Sequence, residues 1–223
     1  MSLSEKLMEH LAGRSFMIGG FSIPESVVVT WGIMAVLTIV SFLLTRNLQV
    51  VPTTKRQIYV ETAVSGLTGL LEGILGKEGK RYVPYLATVL LYLGISNVIG
   101  VFGITPPTKD LNTTAALAII SIILIEFAGI HQKGVKGFLK SFAEPLPLLV
   151  PLNIMEIFIR PLSLCMRLFG NVLGAFILME LIKAVVPIGI PVIFSLYFDI
   201  FDGCLQAYIF VFLTALFIKE SIE

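Results

Sequence analysis

Residues 152–186 read LNIMEIFIRPLSLCMRLFGNVLGAFILMELIKAVV, an apolar run crossed by charges at Glu156, Arg160, Arg167, Glu180 and Lys183. Built as one helix at about 1.5 Å per residue it would extend roughly 52 Å, against about 30 Å of hydrocarbon in a bilayer. After the turn Pro187-Ile188-Gly189-Ile190-Pro191, a second apolar run reaches Ser221 and would extend roughly 45 Å. Membrane helices tilt by about 20° on average and seldom beyond about 40°, so two consecutive overlong runs predict a strongly inclined hairpin. An arginine inside such a run is costly enough in hydrocarbon that its default reading is functional.

Composition places the rest of the chain in the same environment. The sequence is 56% hydrophobic, with a mean hydropathy of +0.93, and its charges fall mostly between long apolar runs, which makes it an all-α integral membrane protein of one domain over residues 1–223. A net charge of +1 without any basic tract excludes nucleic acid as a partner; the lipid bilayer is the partner that composition implies. The opening MSLSEKLMEHLAGRSF lacks the continuous apolar core of a secretory signal, so the first apolar segment is expected to be retained. Cys165 and Cys204 sit in apolar runs without ligand spacing and read as small packing residues.

Five spans are expected: residues 27–45, 82–103, 113–131, 152–186 and 190–221, preceded by an external segment over 1–26. Residues 55–76 read differently, because Val60, Ala63, Val64, Leu67, Leu70, Leu71, Ile74 and Leu75 recur at helical spacing opposite Glu61, Thr62, Thr68 and Glu72. That pattern predicts an amphipathic helix at the interface. Between spans two and three, GITPPTKDLNTT reads as a loop. With this count Arg46, Lys55, Arg56, Lys77, Lys80, Arg81, Lys133, Lys136, Lys140 and Lys219 share one side, and Lys6, Arg14, Lys109 and Lys183 the other. The positive-inside rule then puts the N-terminus outside and the C-terminus in the cytoplasm.

On the fourth span Glu156, Arg160, Ser163, Arg167, Asn171 and Gly174 follow at intervals of three or four and share a face. Glu156 and Arg160 can pair as i, i+4 neighbours near the cytoplasmic entrance, or line it with Ser163. Arg167 has Ser163, Leu164, Gly170 and Asn171 at those spacings, so its counter-charge must come from elsewhere. On the fifth span Ser195, Asp199, Asp202, Gly203 and Gln206 form a stripe, and with Glu180 the acids gather in the outer half. Glu126 reads as snorkelling or paired at the inner end of the third span, and Asn97 as interhelical packing glue. A fixed cation between two polar regions opposes a continuous pore and suits two half-channels, with the ion carried past Arg167 on the carboxylate of a moving partner. The guanidinium favours the ionised carboxylate and so strips it of its ion.

RLFGN over Arg167 to Asn171, LQAYIFVFLT over Leu205 to Thr214, KDLNTT, and the approach PLPLLVPLNIMEIFIRPLSL closely resemble subunit a of the F-type ATP synthase, the stator beside the rotating c-ring. The resemblance covers most of the chain. It implies that Arg167 is the essential arginine, Asn171 the asparagine one turn on, Gln206 the glutamine facing that arginine, and Asp110 an acid near the outer entrance. It also implies a c-ring and peripheral-stalk b subunits as partners, a bacterial plasma membrane as location, and a proton or sodium ion as cargo. Two positions depart from the family: Phe176 stands where many members carry a glutamate, and Asp199 where well-known members carry a histidine. No cofactor or metal is implied. The chain lacks GxxxxGK[ST], so no catalytic nucleotide site is expected; a stand-alone secondary transporter or cation channel is the first rival reading, and an intramembrane enzyme, without HExxH or GxSxG, ranks last.

Overall fold

A computed structural model describes residues 15–18, 21–50, 54–141, 150–186 and 189–222. Lys6, His10, Arg14, the stretch 144–149 and the Pro187-Ile188 pair, on which parts of the sequence reading rest, lie outside the described residues.

Two short strands come first, β1 (Ser15–Ile18) and β2 (Phe21–Pro24), paired antiparallel with Ile18 opposite Phe21. Nothing in the sequence reading of residues 1–26 anticipated this hairpin. Pro24 leads directly into α1 (Glu25–Thr45), and α2 follows at Lys55–Leu75. A 3₁₀ turn at Glu78–Tyr82 enters α3 (Val83–Val98), which ends in another at Ile99–Phe102. A third, Pro107–Lys109, precedes α4 (Leu111–Ser141). This last helix outruns the expected 113–131 and is broken at Gly134, whose φ of 69° is one that side chains with a Cβ rarely adopt. The overlong runs are α5 (Val150–Val185), unbroken through Pro161, and α6 (Ile190–Ser195), a π-helical segment (Leu196–Asp202) and α7 (Gly203–Ile222) in continuous succession.

Among the described residues six helical runs are long and apolar enough to cross a membrane, α2 among them and the succession from α6 to α7 counted as one, against five expected spans. The contacts of α2 set it apart. At its start the Arg56 guanidinium donates to the carbonyls of Leu43 (3.3 Å) and Arg46 (2.7 Å) at the end of α1. Gln57, buried, exchanges hydrogen bonds with the backbone of Gln49. At its other end α2 leads into the start of α3. The helices α1 and α3 are antiparallel: Thr30 meets the Tyr92 hydroxyl at 3.2 Å, and Ser26 at the start of α1 bonds Asp110 beyond the end of α3 at 2.6 Å. Both ends of α2 therefore lie at the same end of the bundle.

The core is built around α7. Gln206, Ala207, Phe210, Val211, Thr214, Ala215, Ile218 and Ile222 are buried at three- and four-residue spacing, the periodicity of one helical stripe. They pack with Leu86 and Leu93 of α3, Ile125 and Ala128 of α4, and Leu71 and Leu75 of α2. By contrast α5 buries only Leu164, Cys165, Leu168 and Met179, so most of its surface is open.

Candidate functional site

The hairpin of α5 against α6 to α7 carries most of the candidate residues, and two polar contacts fix its antiparallel register. Asn171 Nδ2 donates to Gln206 Oε1 at 2.6 Å. Nearer the chain's end, Arg160 donates to Glu220 at 2.8 Å and to Glu156, on its own helix, at 2.7 Å. The Arg160 side chain is 17% exposed, and its Cζ lies 5.0 Å from the Phe217 ring centroid. The expected Glu156–Arg160 pair is thus present, and the sequence reading missed its second acid. Glu220 lies next to Lys219 near the chain's end, where an acid draws no notice.

Arg167 lies two turns along α5 from Arg160 and is exposed on the open face together with Ser163, Gly170, Asn171 and Gly174. Among the described residues it makes no hydrogen bond and no salt bridge. The segment of α7 between Gln206 and Glu220, AYIFVFLTALFIK, supplies no carboxylate or side-chain amide opposite it. Every other charged residue of α5 has a partner: Glu156 and Arg160 as above, and Lys183 with Glu180 at 3.0 Å. Gln206 is buried, and its Nε2 has no partner within the described chain.

The acids of the fifth span do not act as one stripe. Seven residues, Leu196–Asp202, are wound as a π-helix, whose wider turn rotates α6 relative to α7. Asp199 accepts a hydrogen bond from Ser195 at 2.6 Å and sits against Gly100, where a Cβ would meet its Oδ1 at 2.9 Å. Asp202 is half-buried. Gly203 packs on α3 instead: Asn97 Nδ2 donates to its carbonyl at 3.0 Å, and Thr108 donates to Asn97 Oδ1 at 2.8 Å. Asn97 thus makes the interhelical hydrogen bond that its reading as glue between helices expects. No residue spacing announces a π turn, so the sequence reading missed it.

At the end of the bundle where α1 begins, Asp110 accepts from Ser26 and from the backbone N–H of Asn112 (3.0 Å), capping the first turn of α4. Beside it the Lys109 ammonium sits 3.5 Å from the centroid of Phe176, the residue that replaces the family's glutamate. Burial pulls the Lys109 ammonium below its ordinary range, while Glu180 and Glu25 pull the other way. Glu126 lies on an apolar groove of about 500 Å³ between α4 and α5, within electrostatic reach of Arg160. The described residues contain no group of three or more His, Cys, Asp or Glu able to hold a metal.

The family model for the ATP synthase A chain covers residues 27–219. The chain is 38% identical to ATP synthase subunit a of Moorella thermoacetica, over 93% of this chain and 95% of that protein. It is 36% identical to the sodium-ion-specific ATP synthase subunit a of Propionigenium modestum, over 91% of this chain and 75% of that one. A subunit a of Bradyrhizobium is also 36% identical, over 93% and 92%. The similarity runs along nearly the whole chain, and the chain belongs to the ATP synthase subunit a family, the ion-translocating stator subunit of the F-type ATP synthase.

Proposed function

We propose that Arg167 is the barrier between two offset half-channels, and that the cation, a proton or a sodium ion, crosses on carboxylates of a c-ring that pass its open face. One observation carries this reading: among the charged residues of α5, Arg167 alone lacks a partner in the described chain, and the stretch of α7 between Gln206 and Glu220 holds no carboxylate. A guanidinium held at mid-membrane costs about 2.5–3.5 kcal/mol on insertion scales, so a surface that leaves it bare is a surface completed by another subunit. Its positive field holds an approaching carboxylate ionised, which releases the ion the carboxylate brought.

The outer half-channel runs by Asp199 and Asp202, with Glu180 and Asp110 near its mouth; the inner one passes Glu156 and Ser163. Asn171 and Gln206, bonded to each other, hold the hairpin closed beside Arg167. The end of the bundle bearing Arg46, Arg56, Lys80, Arg81, Lys133 and Lys219 faces the cytoplasm, and the end bearing Lys109 and Lys183 faces outward, as the positive-inside rule requires. The start of α1 is then external and the C-terminus cytoplasmic, in a bacterial plasma membrane. With both of its ends at the cytoplasmic side, α2 lies along that surface and makes no crossing, and five spans remain. The chain has no catalytic nucleotide site of its own; it works with the c-ring and the peripheral-stalk b subunits.

Reconstitution separates this from the rival reading. The purified chain alone in vesicles should give no sustained, selective ion flux, and the assembled complex should pump ions on ATP addition; sustained flux through the lone chain would replace the stator with a self-contained transporter.

A further inference from the structure

The inner third of α5 is poorly held by packing. No described residue of α5 before Leu164 is buried, and the groove of about 500 Å³ separates Ile157, Phe158 and Pro161 from Ile122, Ile123 and Phe127 of α4. With no residue fully buried there, apolar packing alone fixes the rotation of this end only weakly. One tie between this end and the core is Arg160, which bonds Glu156 and Glu220 at 2.7 and 2.8 Å and lies over the Phe217 ring. Glu220 belongs to α7, the best-buried helix of the fold.

Arg160 and Arg167 stand seven residues apart on α5, and Asn171 stands four residues beyond Arg167, so all three share one stripe. The stripe is pinned to α7 at Arg160 and at Asn171, and Arg167 lies between the pins. We propose that Arg160 is a positioning residue: its bridge from Glu156 to Glu220 sets the rotation and axial register of α5 on α7, and thereby presents Arg167 on the open face. This rests on the reading of Arg167 as the barrier. An arginine suits the task because one guanidinium nitrogen, Nη2, donates to both carboxylates and the group stays charged at any physiological pH. For the same reason it takes no part in carrying a proton.

The experiment compares complete ATP synthase complexes carrying Glu220→Gln, Arg160→Glu, and the charge swap that combines Arg160→Glu with Glu220→Arg. Ions pumped per ATP hydrolysed and the amount of subunit assembled are measured for each. In parallel, with Cys165 and Cys204 replaced by serine, spin labels at Leu162→Cys and Leu216→Cys report the spacing of α5 and α7; both positions are exposed. Glu220→Gln should assemble normally, pump severalfold fewer ions per ATP and broaden the label spacing. Arg160→Glu should do worse. The swap moves the guanidinium to α7, opposite Glu156 and the acid introduced on α5, and should recover most of both readouts. Unchanged pumping and spacing in Glu220→Gln, or a swap no better than Arg160→Glu alone, overturns the proposal. If Arg160→Glu does not assemble, the Glu220→Gln spacing decides. Arg167→Ala serves as the control: normal pumping there overturns the barrier itself, whereas a dead Arg167→Ala beside a normal Arg160 series overturns only the clamp.

Discussion

Arg160 and Arg167 stand two turns apart on α5 in opposite circumstances. Arg160 is nearly enclosed, with a carboxylate from its own helix, a second from α7 and an aromatic ring beside it. Arg167 is exposed, and the part of α7 that faces it is apolar. A paired guanidinium contributes geometry and little field, because its charge is cancelled within a few ångströms. An unpaired one projects its field outward, where it acts on whatever passes. On the roles proposed above, two identical side chains divide the labour of the hairpin: one holds the helix and the other faces the passing carboxylates.

The largest effect is expected at the unpaired member. Arg167→Ala removes the charge proposed to separate the half-channels, so coupled ATP synthesis in vesicles should fall by roughly 100-fold or more, with a passive ion leak in its place. Arg167→Lys should also fail, because a compact ammonium can shed its proton and lacks the planar fork. ATP-driven pumping at the parental rate in either variant would remove Arg167 from the mechanism.

The next test concerns the acids. Asp199, held by Ser195 against Gly100, should matter to transport, and Glu126, beside the apolar groove, should not. Asp199→Asn should slow ATP-driven ion uptake by roughly tenfold or more if the group relays protons. Glu126→Gln should leave uptake near the parental rate; the opposite ranking would mean that the ion path uses other acids than those proposed.

Smaller effects are expected where the hairpin is merely held. Asn171→Leu leaves the buried Gln206 with neither end of its amide paired, a cost of about 1–3 kcal/mol. The complex should then show a lower thermal midpoint and severalfold weaker coupling, and Gln206→Leu added to it should recover part of the stability without the coupling. Least of all, Phe176→Leu removes the ring beneath Lys109, a contact of about 0.5–1 kcal/mol. Its expected signature is a slightly lower unfolding midpoint of the purified chain in detergent with ion pumping intact. A large pumping defect there would mean that the Lys109 and Phe176 pair lies on the ion path.

Legibility followed the range of the interactions. Spans, the hairpin's excess length and the shared face of Glu156, Arg160, Arg167 and Asn171 depend on hydropathy and helical period, which act over a few neighbouring residues. The interfacial pattern of 55–76 was readable for the same reason, although length and hydropathy alone would let α2 cross. The π turn at Leu196–Asp202 was not readable, because no local spacing encodes it and its end is bonded from α3 by Asn97. That turn sends Asp199 towards Gly100 and leaves Gln206 to α5, dividing a stripe that looked continuous.

The order of residues alone dictates that the chain dissolves in a bilayer, that its last two apolar runs are too long to stand upright, and that an arginine lies among them without a nearby acid. These are properties of composition and of a helix's own periodicity. Which arginine is neutralised was settled by the packing of helix on helix. Glu220 reaches Arg160 across 60 residues of chain, while nothing described reaches Arg167. Ion pairing depends on distances between helices, and hydropathy and period along one helix carry no information about them.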